Sequence, residues 1–305
     1  MSDIIEAQNL FKRYKDGVVA LQGLSFTVEQ GSFFSLLGEN GAGKSTAINI
    51  LSTVLAKTRG RAVVNGHDID KDPKGVKESI GIVFQNSVLD GVLTVKENLL
   101  TRAMWLGLTG KKARERIEIL AKELDLGSFL NRRFDRLSGG QKRRADIARG
   151  VMNDKIKILF LDEPTTGLDP HARKELWNMI HDLRKNLGLT VFLTTHYMEE
   201  TEDSDKVVVI DKGELIANGT PLELKTRYAT NQVVWYAPRT IVNDQIAGMD
   251  GHSFTYGGQS YKVAVRNSLD SSSFIAKNAR YLTDFEVKKA TMEEVFLNLT
   301  GKESK

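Results

Sequence analysis

The stretch Gly38-Glu39-Asn40-Gly41-Ala42-Gly43-Lys44-Ser45-Thr46 constrains this chain more than any other. Gly38, Gly41 and Gly43 let the main chain close in where side chains would hold it off, so that backbone N–H groups can converge on an anion. The apolar run from Ser32 to Leu37 before it suits a buried strand, and Ala47, Ile48, Leu51, Val54 and Leu55 after it recur at helical spacing. A helix starting near Lys44 aims the positive end of its dipole at the same anion, and Lys44 adds a full charge. Ser45 offers a hydroxyl suited to holding magnesium between the outer phosphates of a nucleoside triphosphate, and Thr46 is a further donor. The four restricted positions would coincide by accident in roughly one chain of this length in a hundred. Gly38, Asn40, Gly41, Gly43, Lys44, Ser45 and Thr46 are therefore the candidate phosphate-binding residues.

A chain of 305 residues with 41% hydrophobic content is globular, with room for one large domain and a small one. No apolar run approaches the roughly 20 residues that cross a bilayer, and Met1-Ser2-Asp3 resembles neither a basic nor an apolar leader. With no cysteine, the chain has no disulfides and no thiolate metal site, which fits a reducing compartment and leaves oxygen ligands for any metal. Lys and Arg outnumber Asp and Glu by 43 to 39, a net charge of +4. Basic residues gather at Arg132, Arg133, Arg136, Lys142, Arg143 and Arg144, but no aromatic residues alternate with them as base stacking requires. A solvated helix face is expected there, and no nucleic acid is expected as a partner.

From Ile4 to Val28 apolar and polar residues alternate, as in antiparallel strands. Tyr14 falls between them, either as a ring for an adenine face or as an exposed strand tyrosine. Ile80 to Phe84 reads as a buried strand followed by Gln85, whose amide can meet magnesium or an attacking water, or simply cap a loop. Between Leu93 and Gly150 strand signals vanish and amphipathic helices take over, over Val95 to Leu106, Lys111 to Leu124 and Gly140 to Met152. The last opens with Leu137-Ser138-Gly139-Gly140-Gln141, where Ser138 suits a helix cap and the paired glycines bare backbone N–H groups. Ser138, Gly140 and Gln141 thus mark a second anion site.

The apolar strand Lys157 to Leu161 ends in Asp162-Glu163. Carboxylates rarely follow such a run without a cation to meet. An acid there can hold magnesium through water, and the next can accept a proton from water attacking a γ-phosphate, so Asp162 takes the first role and Glu163 the second. After the turn Gly167 to Pro170 and a helix from His171 to Leu187, the strand Leu189 to Thr195 ends at His196. Of the five histidines, His196 alone occupies a strand's carboxyl end where a γ-phosphate sensor belongs. A hairpin over Lys206 to Ala217 closes this body near Gly219, and short strands and helices from Tyr228 onward suggest a small α+β domain.

The set resembles the ATP-binding subunit of an ABC transporter from Ile4 to about Gly219. The resemblance implies an α/β fold: a P-loop NTPase core with an N-terminal antiparallel β-subdomain, an inserted helical subdomain at about 90–152, and a small C-terminal α+β accessory domain, the division falling between 1–219 and 220–305. It implies a Walker A loop at Gly38 to Thr46, a stacking Tyr14, a Q-loop Gln85, a signature at Leu137 to Gln141, a Walker B strand at Ile158 to Asp162, a catalytic Glu163, a D-loop at Gly167 to Asp169 and a switch His196. ATP and Mg2+ are the implied cofactors, with Ser45, Gln85 and Asp162 near the metal. The implied partners are a transmembrane permease subunit and a second ATP-binding subunit, head to tail in a homo- or heterodimer, at the cytoplasmic face of the membrane. The tail from Lys288 to Gly301 is similar to the ends of exporter ATPases of the daunorubicin-resistance type, which carry drugs, lipids or polysaccharides. A soluble ABC-type ATPase, or a nucleotide-dependent regulator uncoupled from transport, is the competing expectation.

Overall fold

Strands β1 (Asp3–Arg13) and β2 (Val19–Glu29) pair antiparallel and turn Ile5, Ala7, Leu10, Leu21, Leu24, Phe26 and Val28 inward. This is the pattern of a sheet with one buried face. The pairing is irregular between Ala7 and Leu10, where Asn9 adopts φ 49° and lets the strand bend. In this computed structural model, which describes residues 2–301, the chain divides into two compact units, Met1–Asn218 and Gly219–Lys305.

All five residues of β3 (Phe33–Leu37) are buried, and the glycine loop carries the chain from it into α1 (Lys44–Leu51). The helix is shorter than its apolar spacing predicts. Thr53 turns to φ 60°, and the Asn49 carbonyl accepts the amides of both Val54 and Leu55 at 2.9 Å, so Val54 ends 60% exposed rather than on the helix's buried face. Strands β4 (Arg59–Val64) and β5 (His67–Asp68) complete the first sheet in the order β2-β1-β4-β5.

A short α2 (Pro73–Ser79), capped by Asp72, precedes β6 (Ile80–Val83). Its seven residues give too few turns for a periodicity signal, which is why it is missing from the sequence reading. Three helices then fill the chain before the next strand: α3 (Val95–Trp105), α4 (Gly110–Glu123) and α5 (Gly139–Gly150). Thr94 caps α3 and Ser138 caps α5 through reciprocal capping boxes with Glu97 and Gln141. Leu99, Ile117, Leu120, Ala145 and Ile147 share one apolar cluster with residues of the sheet.

Next come β7 (Ile158–Asp162), α6 (Pro170–Leu187), β8 (Thr190–Thr195), β9 (Lys206–Asp211) and β10 (Glu214–Gly219). The second sheet runs β10-β9-β3-β8-β7-β6, with β9, β3, β8, β7 and β6 parallel to one another and β10 joined to β9 by a two-residue turn. Five parallel strands therefore end at one edge, and Gly38, Gln85, Glu163 and His196 follow four of those ends. The two sheets meet through an aromatic seam: Phe26 stacks on Phe34 at 5.3 Å, Phe34 lies 4.9 Å from Phe192, and Phe192 lies 5.2 Å from Phe160. Such rings bury large area and resist sliding.

The second unit is α+β. It comprises α7 (Pro221–Tyr228), β11 (Asn231–Tyr236), α8 (Ile241–Ala247), β12 (Phe254–Gly257), β13 (Ser260–Val265), α9 (Ser268–Asn278), β14 (Phe285–Lys288) and α10 (Met292–Thr300). Its antiparallel sheet, ordered β12-β13-β11-β14, buries Trp235, Tyr261, Val263 and Phe274 in a core of its own. The Tyr261 hydroxyl donates to Asp244 Oδ1 at 2.7 Å.

Candidate functional site

The glycine loop is held in shape from outside. Gly43 has φ 106°, and a Cβ there would lie 2.5 Å from the Ala20 carbonyl oxygen, so neither the angle nor the space admits a side chain. The same carbonyl would stand 2.7 Å from a Cβ on Gly213, in the β9–β10 turn. Gly213 N donates to Ala42 O at 3.0 Å and Gln22 N donates to Gly213 O at 2.9 Å, which ties the loop, β2 and the hairpin together.

Asn40, Gly41, Gly43, Lys44, Ser45, Thr46, Gln85 and Glu163 line a cleft of about 330 Å3 with Ala20. That falls in the size range of small-molecule sites, roughly 300 to 1,000 Å3. The Lys44 ammonium donates to Gly38 O at 2.8 Å and Glu39 O at 2.9 Å, and stands 3.1 Å from Glu163 Oε1. Ser45 Oγ donates to Asp162 Oδ1 at 3.1 Å. The Tyr14 hydroxyl is 3.1 Å from Thr46 Oγ1, so Tyr14 is anchored to the loop's end.

Glu163 is the meeting point. Its Oε2 accepts from Gln85 Nε2 at 3.1 Å and stands 3.1 Å from His196 Nδ1, without hydrogen-bond geometry in the latter contact. Its backbone adopts φ 44°, a left-handed conformation that costs a non-glycine residue energy and clusters at functional sites. The Glu163 amide is caught by Thr194 O at 3.1 Å and Thr194 Oγ1 at 3.2 Å, which fixes this turn at the end of β7.

The two acids are tuned in opposite directions. Burial raises the pKa of Asp162, and the hydroxyls of Thr194 and Ser45 only partly offset this. Burial also works against ionised Glu163, but the nearby Lys44 and His196 outweigh it and hold that carboxyl below its ordinary value.

Arg143 belongs with this site, although the sequence reading placed it on a solvated face. It is 7% exposed. Its guanidinium donates to Phe84 O at 2.8 Å, Gln85 O at 3.0 Å and Glu163 O at 3.4 Å. One side chain on α5 thus grips the segments carrying Gln85 and Glu163, as the fixed fork of a guanidinium allows. The signal was present: Arg143, Asp146, Ile147 and Gly150 recur at helical spacing and form the buried stripe of α5. Arg144, in contrast, reaches outward to Asp125 and Glu175.

The structure does not bring Ser138, Gly140 and Gln141 into the cleft. Ser138 and Gln141 are engaged in their capping box, and a Cβ on Gly140 would lie 3.2 Å from Ala172 Cβ at the start of α6. The two helix starts therefore stand apart within one chain.

For magnesium, the donor set fits: a serine hydroxyl and a buried carboxylate converge within 3.1 Å. Mg2+ is typically held by one or two protein oxygens with substrate phosphates and water, so a dense acidic cage is not required. Among the described residues no group of three or more His, Cys, Asp or Glu forms a metal cage, and no helix is long and apolar enough to cross a membrane.

The family model described as "ABC transporter" matches residues 21–166. The chain is 35% identical over 304 residues to the doxorubicin resistance ATP-binding protein of Mycobacterium tuberculosis, covering 95% of this chain and 91% of that protein. It is 36% identical over 304 residues to the Nod factor export ATP-binding protein I of Burkholderia pseudomallei, covering 98% and 97%. Among solved structures it resembles cbiO1 from Clostridium perfringens, part of the ABC transporter complex cbiONQ, with TM-score 0.68, 31% identity and coverage of 74% of this chain and 92% of that one. It also resembles a dimeric ATP-binding cassette in a post-hydrolysis state bound to ADP and Pi, with TM-score 0.65, 27% identity and coverage of 71% and 98%.

Proposed function

Because this chain belongs to the ABC transporter family of ATP-binding subunits, we propose that it binds and hydrolyses ATP to drive export through a separate transmembrane subunit. The observation that carries the reading is Glu163, held 3.1 Å from both Lys44 and His196 at the mouth of the phosphate loop. An ionised carboxylate in that position can accept a proton from water attacking the γ-phosphate. Lys44 and the loop amides bind the phosphates, and Tyr14 stacks on the adenine. Gln85 orients the water, and His196 senses the γ-phosphate. Ser45 and Asp162 would hold Mg2+ with Gln85 at its edge, and the ion supplies charge neutralisation at the β- and γ-phosphates.

The distance of Ser138, Gly140 and Gln141 from this cleft supports a head-to-tail pair, in which these residues face the ATP of a second ATP-binding subunit. The names of the relatives, for doxorubicin resistance and for Nod factor export, support an exporter whose cargo is a drug, lipid or polysaccharide. The body 1–219 does this work, with a helical insertion at about 90–152, and 220–305 is the accessory domain. The protein then sits at the cytoplasmic face of the membrane through its permease partner.

The test is to isolate the tagged native protein from gently solubilised membranes and identify what accompanies it by mass spectrometry. A stoichiometric polytopic membrane protein is the expected companion. Recovery with ribosomes, DNA or nothing would overturn the transport reading.

A further inference from the structure

The residue that follows His196 by four positions is a carboxylate the reaction does not use. Glu200, in the 3-10 turn Met198–Thr201, is 7% exposed. Its two oxygens are each claimed by a threonine hydroxyl: Thr165 Oγ1 donates to Oε1, and Thr195 Oγ1 donates to Oε2 at 2.6 Å. Both threonines are fully buried. Thr165 lies two residues beyond Glu163 in the turn after β7, and Thr195 is the last residue of β8, next to His196. Thr195 Oγ1 also accepts the Tyr197 amide at 2.9 Å, and the Tyr197 ring lies 4.1 Å from that of His196.

We infer that Glu200 is a positioning residue, a buried bridge that fixes the Glu163 turn and the His196 strand end relative to each other. Glu200 is absent from the lining of the phosphate cleft and therefore acts through its neighbours. Burying a carboxylate is costlier for stability than packing an apolar side chain in the same space, so the residue type is explained by the geometry it specifies. The neighbouring Glu199 needs no such account, since it faces outward to Arg173 Nη1 at 3.1 Å and is mostly exposed. The consequence is catalytic because Glu163 and His196 meet at 3.1 Å, and a misplacement of about 1 Å at a reacting group can slow chemistry about a hundredfold.

The inference rests on the ATPase reading above, and the experiment separates the two. Glu200→Ala, Glu200→Gln and Thr165→Val are compared with wild type for ATP dissociation constant, kcat and KM, each alone and in a His196→Ala background. Glu200→Ala is expected to lower kcat roughly ten- to a hundredfold with the ATP dissociation constant held within about twofold. Glu200→Gln should restore most of the rate, because its amide can still bond both hydroxyls. The Glu200→Ala loss should largely disappear in the His196→Ala background, since residues acting as a unit are not additive. If Glu200→Ala cannot be obtained folded, Thr165→Val decides, as it removes one arm of the bridge at nearly constant volume. Wild-type kcat in Thr165→Val and Glu200→Ala, or full additivity with His196→Ala, would overturn the bridge. Unchanged turnover in Glu163→Gln would instead overturn the ATPase reading beneath it.

Discussion

The ammonium of Lys44 and the carboxylate of Glu163 stand 3.1 Å apart, and both side chains are almost wholly buried. Lys44 also serves the carbonyls of Gly38 and Glu39, so its three donors are all engaged. A phosphate entering the loop competes with Glu163 for this ammonium. Glu163→Gln is therefore expected to stall hydrolysis by at least about a hundredfold, since an amide accepts no proton, while binding ATP somewhat more tightly than wild type. Lys44→Ala should weaken ATP by about ten- to a hundredfold, the value of one charge-assisted hydrogen bond of roughly 1.5 to 3 kcal/mol. Equilibrium binding and steady-state turnover, measured on both variants, check the pair.

Two variants of Tyr14 test the stacking role proposed for it. Its ring offers a stacking face and its hydroxyl reaches Thr46 Oγ1 at 3.1 Å. Tyr14→Phe should bind ATP nearly as well as wild type, whereas Tyr14→Ala should lose roughly three- to tenfold, matching about 0.5 to 1.5 kcal/mol for an aromatic stack. Equal losses in the two variants would assign the effect to the hydroxyl instead.

Arg143 reaches three carbonyls from two separate nitrogens of one planar fork, a spacing that the point-like ammonium of a lysine does not match. Losing one charged hydrogen bond costs about 1.5 to 3 kcal/mol. For Arg143→Lys the expected fall in Tm is then roughly 3 to 12 °C. Turnover should fall further than ATP affinity, because the lost bonds hold Gln85 and Glu163 rather than the nucleotide.

Burial raises the pKa of Glu200 despite the hydroxyls of Thr165 and Thr195. A carboxyl whose folded pKa is raised contributes stability below its unfolded value, about 4.5, and loses that contribution as the pH climbs through the folded value. Glu200→Gln does not titrate. Its Tm, taken relative to wild type, should therefore be more favourable at pH 7 than at pH 4.5, and thermal melts at the two pH values measure the difference.

The elements that position the cleft were legible because their chemistry is spelled locally. A glycine loop between an all-buried strand and a helix, and acids directly after an apolar run, need no tertiary information to be noticed. What the sequence concealed depends on burial or on shortness. Arg143 sits in a basic run of which Arg132, Arg133 and Arg136 are indeed exposed, and only its place in the stripe with Asp146, Ile147 and Gly150 tells it apart. The seven-residue helices α2 and α8 offer too few turns for a period, and at Val54 apolar spacing outlasted the helix because Thr53 turns the backbone. The left-handed φ of Glu163 could not be foreseen, since nothing in a Leu-Asp-Glu-Pro string demands it.

The wedge formed by the Ala20 carbonyl between Gly43 and Gly213 bears on how quickly nucleotide is captured. A loop pinned by β2 on one side and by the hairpin amide of Gly213 on the other has already lost its conformational freedom before a ligand arrives. Its N–H groups meet the triphosphate without an ordering step, so little of the binding energy goes into shaping the receptor. A receptor shaped in advance adds little of its own to the barrier for capture, and that follows from the wedge rather than from any residue that touches the phosphates.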